Sequence, residues 1–160
     1  MRGGRHRGFT LIELMITVAI VGLLATMATP LAELAVRRSR ESELRQALRE
    51  IRNGLDDYKR AADSGLVERA ADASGYPASL ELLVSGIANA KDPARPRIFF
   101  LRRIPADPFF AGPPETPPAE TWGLRSYASG PDQPQPGKDV FDVYSTAPGA
   151  GLNGRPYRDW

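Results

Sequence analysis

A chain of 160 residues suffices for one modest domain with an extension and is short for two well-cored ones. It has no cysteine, which excludes disulfides and thiolate chemistry, and its one histidine, His6, cannot on its own build a triad or a His-ligated zinc site. The net charge of +2 rests on the first eight residues, where Arg2, Arg5 and Arg7 lie; without them acidic residues outnumber basic ones, so the balance points to no nucleic-acid partner.

In chain order, the basic segment 1–8 is followed by an apolar run in which 19 consecutive residues, Leu14 to Ala32, carry no charge. A helix of that length spans roughly 28 Å, close to the hydrocarbon thickness of a bilayer. Arginines on its N-terminal side predict a cytoplasmic N-terminus and the rest of the chain on the far side. A cleaved secretory signal, cut near Thr26 or Ala28, has a shorter apolar region and leaves Glu13 unexplained. A plain membrane anchor needs Glu13 to snorkel to the interface.

Glu13 is the informative residue, because a carboxylate in an apolar zone costs a few kcal/mol unless it has a partner. No Lys or Arg lies between Gly8 and Arg37. A cut between Gly8 and Phe9 creates a positive amine one helical turn from Glu13, able to neutralise it within the chain or on a neighbour. The stretch Gly8-Phe9-Thr10-Leu11-Ile12-Glu13-Leu14 resembles the prepilin junction of type IV pilins and type II secretion pseudopilins. The resemblance implies cleavage between Gly8 and Phe9 by a membrane prepilin peptidase and N-methylation of Phe9. It also implies a register role for Glu13 against an adjacent subunit's amine. Pro30 falls where many members of that superfamily have a proline, which can kink or locally melt the helix.

Beyond Ala32 the pattern becomes amphipathic, with Leu44, Leu48, Ile51, Leu55, Tyr58 and Ala62 spaced as one helical face. The charges from Arg37 to Arg52 read as the solvated face, with Glu41 and Arg45 placed for an i,i+4 contact. Gly54 is a weak point rather than a stop. The chain therefore divides into a leader (1–8), a membrane or filament-core helix (9–32), an amphipathic continuation (33–62) and a head (63–160).

In the head, Tyr76-Pro77 opens a short helical stretch ended by Ser85-Gly86. Thirteen of the 15 prolines follow Lys91, which excludes long helices there. Short strands are expected at 98–101, 124–128 and 140–145, with 105–118 as a rigid proline-rich connector. The landmarks YPASLELLV (76–84), RRIPADPF (102–109), TWGLRSYASG (121–130), DVYS (142–145) and the final DW resemble those of the major pseudopilin family, general secretion pathway protein G. Major type IV pilins typically have a C-terminal disulfide loop, which this chain cannot form. That pseudopilin family holds a calcium ion in the loop after the last strand. Here 146–158 contains no Asp or Glu, so calcium has only weak candidates in Asp142 and Asp159, helped by Ser145 and Asn153. Packing of Pro148, Leu152, Tyr157 and Trp160 is the expected hold.

Nothing in the sequence supports catalysis. Asp56 and Asp57 point about 100° apart on a helix and are poorly placed to act together, and Gly149-Ala150-Gly151 lacks the strand-turn-helix setting of a phosphate loop. The expectation is an α+β, pilin-like fold: a long N-terminal helical spine, its first half transmembrane, and a small periplasmic head with a short antiparallel sheet and long loops. The resemblance implies a structural subunit of a type II secretion pseudopilus anchored in the bacterial inner membrane. Its partners would be the membrane, other copies of itself, minor pseudopilins, the prepilin peptidase and an inner-membrane assembly platform. A minor pseudopilin, a type IV pilin-like subunit and a non-polymerising anchored binding module are the alternatives.

Overall fold

A computed structural model describes residues 8–160. Its first element, α1, runs Leu11–Asp63 and is assigned as helix through Pro30. Then come α2 (Glu81–Ser85) and four strands: β1 (Ile87–Ala88), β2 (Arg97–Ile98), β3 (Trp122–Arg125) and β4 (Asp142–Ser145). The strands form two antiparallel pairs, β1 with β2 and β3 with β4, the latter in the register Trp122↔Ser145 to Arg125↔Asp142. The architecture is the expected α+β, pilin-like one, with a long apolar N-terminal helix followed by a small domain with short antiparallel sheets.

Chain contacts separate two compact units, one ending at Ser39 and one running Arg40–Trp160. In the first, every side chain described from Leu11 to Ser39 is exposed, and from Leu14 to Ala32 none is charged, so the helix is apolar there on all its faces. Such a helix is long and apolar enough to cross a membrane.

In the second unit the helical stripe does what its spacing predicts. Leu44, Leu48, Ile51, Leu55, Tyr58 and Ala62 are all buried, against Leu80, Leu83, Leu101, Trp122, Val140 and Val143. Each large side chain contributes about 1.5–3 kcal/mol on burial. The weak point at Gly54 has a packing reason: a Cβ there would lie 2.9 Å from Leu101 Cγ, so the bare backbone lets Leu101 seat on the helix. Burial raises the Tyr58 hydroxyl pKa, while the exposed Asp63 carboxyl is lowered, chiefly by its hydrogen bond from Lys59.

Five elements depart from the sequence reading. Strand β3 runs Trp122–Arg125 where 124–128 is expected, since the Ser126 amide turns to the Gln135 carbonyl, and β4 starts at Asp142 rather than at 140. The helix expected after Pro77 starts only at Glu81, since the Pro77 carbonyl accepts the Val140 amide at 2.8 Å and serves the approach to β4 instead. The strand expected over 98–101 ends at Ile98, because the Phe100 and Leu101 amides both turn to the Leu83 carbonyl. Its partner β1 was not foreseen; two residues give no periodicity. The proline-rich connector, expected to be rigid, is pinned at its start: Trp122 Nε1 donates to the Pro105 carbonyl, and the buried Asp107 accepts Ser145 Oγ at 2.5 Å and the Phe109 amide at 2.8 Å.

Candidate processing and assembly site

Helix α1 begins immediately after the proposed junction. Thr10 sits at the capping position, and its Oγ1 accepts the Glu13 amide at 3.2 Å. Thr10 with Glu13 three residues on is the spacing of a capping box, of which this bond is the first half, and Phe9 and Leu14 occupy the staple positions around it. The helix therefore starts two residues after Phe9. Gly8 has nothing within 4 Å of where a side chain would be, and Phe9 is 84 % exposed. Glu13 lies in the first turn, where a carboxylate also complements the helix dipole. Residues 1–7, with the leader arginines, lie outside the described structure.

In the second unit, the calcium candidates are otherwise engaged. Asp142 Oδ1 accepts Arg52 Nε at 2.8 Å and Asp142 Oδ2 accepts an Arg125 nitrogen at 3.2 Å, so both oxygens face guanidinium groups. Asp159 pairs with its neighbour Arg158 at 3.4 Å. Ser145 Oγ donates to Asp107, and Asn153 Oδ1 accepts the Arg155 amide. Among the described residues no group of three or more acidic, histidine or cysteine side chains gathers. Calcium takes six to eight oxygens, normally including carboxylates. The residues present do not fit it.

The packing expected for the last loop is also only partly there. Tyr157 is buried and Trp160 half-buried, stacking edge-on at 5.2 Å, whereas Pro148 and Leu152 are exposed. What replaces them is charge from α1. Glu41, read from sequence as solvated, is 2 % exposed and accepts the Leu152 amide and the Tyr157 hydroxyl, as well as pairing with Arg45 at 3.5 Å. A signal for this existed: Glu41 stands three residues before Leu44, on the buried stripe itself.

Comparison with known proteins places the N-terminal geometry. Residues 4–29 match the family model for the prokaryotic N-terminal methylation motif. The N-terminus thus carries the pattern of that motif. The chain is similar to the type II secretion system core protein G of Dickeya chrysanthemi, 26 % identical over 154 residues that cover 94 % of each chain. The core protein G of Klebsiella pneumoniae is 29 % identical over 80 % of this chain and 86 % of its own. The type IV major pilin of Myxococcus xanthus is 51 % identical, but over 47 residues that make up 29 % of this chain and 21 % of the pilin. No solved structure gave a significant match. The likeness to core protein G thus runs through helix and head. The relatives it resembles are, by name, a secretion-system core protein and a type IV pilin.

Proposed function

We propose that this chain is a pseudopilin of a type II secretion system, made as a prepilin in the inner membrane with its N-terminus cytoplasmic and its head periplasmic. Prepilin peptidase cuts between Gly8 and Phe9 and methylates Phe9. The mature chains assemble through an inner-membrane platform, with minor pseudopilins, into a periplasmic filament that drives export. Residues 9–32 form the membrane and filament-core helix, 33–62 its amphipathic continuation and 63–160 the head.

One observation carries the reading: a helix without a charge from Leu14 to Ala32, its described side chains all exposed, that opens on a glutamate. In lipid its apolar surface is satisfied, and once withdrawn from lipid it is satisfied only by other such helices. Glu13 then has a partner in the Phe9 amine of a neighbour, which offsets the cost of its burial and fixes the stagger between copies. Pro30 relaxes the helix at the end of the apolar run, where withdrawal must begin. The type IV pilin reading has less support, since that likeness is confined to less than a third of the chain.

The absence of native cysteine makes the test direct. Single-cysteine variants at Leu14, Val18 and Leu24 are expected to give cross-linked ladders of this chain in cells expressing the secretion system, and a variant at the buried Leu55 none. Ladders absent from all three helix positions would refute polymerisation through the rod and favour the anchored binding module.

A further inference from the structure

The last segment of the head, Thr146 to Trp160, closes on itself through local bonds: the Gly151 amide to the Arg155 carbonyl, the Gly154 amide to the Gly151 carbonyl, the Tyr157 amide to the Gly149 carbonyl, an Arg155 guanidinium nitrogen to the Asp159 carbonyl, Trp160 Nε1 to the Arg155 carbonyl, a bridge between Ala150 and Pro156, and the short turn at Tyr157–Asp159. Its one acidic side chain, Asp159, is paired with Arg158, so the segment offers a divalent cation few carboxylate oxygens of its own. Two charged residues of α1 grip it from outside. Arg52 donates through Nε to Asp142 Oδ1 at 2.8 Å, and through a terminal nitrogen to the main-chain oxygens of Val143 at 3.1 Å and Trp160 at 2.8 Å. One guanidinium thus binds a carboxylate and two main-chain oxygens, tying β4 and the final residue to the helix.

Glu41 supplies the second hold, accepting the Leu152 amide at 2.8 Å and the Tyr157 hydroxyl at 3.2 Å. It stands 11 residues before Arg52, close to three full turns, so the two project from the same side of α1. Between them, the Arg45 guanidinium lies 4.4 Å over the Trp160 ring. Trp160 in turn lies against Gly151 so closely that any side chain there would strike its ring.

We infer that Arg52 is the resident cation of the head: with Glu41 it forms a protein-only clamp that positions the C-terminal segment, and the head therefore needs no calcium. Arg52 and Arg125 already place two positive charges on the one available carboxylate, Asp142. A divalent ion arriving there meets like charge and too few oxygens. The inference concerns the head's own fold and stands apart from the filament reading.

The test uses the full chain in detergent, comparing melting temperature and hydrogen exchange over 149–160 in calcium chloride and in chelator. The unaltered protein is expected to give the same values in both. Arg52→Met should lower the melting temperature by of the order of 10 °C, since it leaves Asp142 with one partner and frees two main-chain oxygens, and exchange over 149–160 should rise most. Arg52→Lys, which keeps the charge but lacks the planar fork, should fall between the two and carries the test if the methionine variant does not fold. Stabilisation of the unaltered protein by calcium would overturn the inference. So would unchanged exchange in the Arg52 variants.

Discussion

The two halves of α1 are one helix by hydrogen bonding and two different objects by chemistry. Before Ser39 its described side chains are exposed on every face and apolar over most of them; from Glu41 onward a single stripe is buried and the other faces are charged. The difference shows where each half finds its stability. The second half is held by its own head, through residues far away in sequence. Among the described residues the first half has no such partner, and on the proposed reading lipid or other copies supply it.

Substitutions on either side of that boundary should fail in different assays. The largest effect belongs to Glu13→Lys: filaments and secretion are expected to be abolished, while the melting of the head is unchanged. A lowered melting temperature in that variant would mean that the halves are not independent. Next comes Leu55→Ala, which empties a fully buried site and should cost the head about 2–5 kcal/mol in denaturant titration, with membrane insertion unaffected. Gly54→Ala sets two effects against each other. Helix propensity favours alanine by about 1 kcal/mol, but the new methyl group meets the Leu101 side chain and overpacking costs typically about 1–3 kcal/mol. Net destabilisation is expected, and a more stable Gly54→Ala head would show that Leu101 moves aside freely.

The smallest effect concerns the end of the helix. The Asp63 pKa is depressed in the folded chain, first by the hydrogen bond from Lys59 and then by the charges of Lys59 and Arg69. A depressed carboxylate contributes stability that is present above its unfolded pKa and lost as pH falls through the folded one. Asp63→Asn should therefore slightly lower stability at neutral pH and remove a small part of the acid sensitivity below the ordinary aspartate range. Identical melting curves for both proteins from neutral to acid pH would remove Asp63 from the account.

The boundary between the halves also separates what was legible in the sequence from what was not. The junction at Gly8-Phe9, the spacing to Glu13 and the apolar length are local features, readable because their meaning depends on neighbours in the chain. The stripe from Leu44 to Ala62 was readable for the same reason, through its 3.6-residue period. The clamp was not: Arg52 meets Asp142 90 residues away and Glu41 meets Tyr157 across 116, and a charge run carries no mark of which members will find distant partners. Glu41 is the exception, because its place on the apolar stripe announced its burial. The short strands β1 and β2 and the late start of α2 were hidden because their bonds are set by where Leu83 and Pro77 offer carbonyls, not by any periodicity of their own.

The central claim is that the first half of α1 is a processed filament rod whose amine and carboxylate belong together. Intact mass of the protein from its native membrane, with N-terminal sequencing, tests it most directly. The account predicts a chain that lacks Met1 to Gly8 and begins at a Phe9 carrying one added methyl group. A chain that begins at Met1, or at a cut near Ala28, would contradict it, since the first leaves Glu13 without its amine and the second removes the rod.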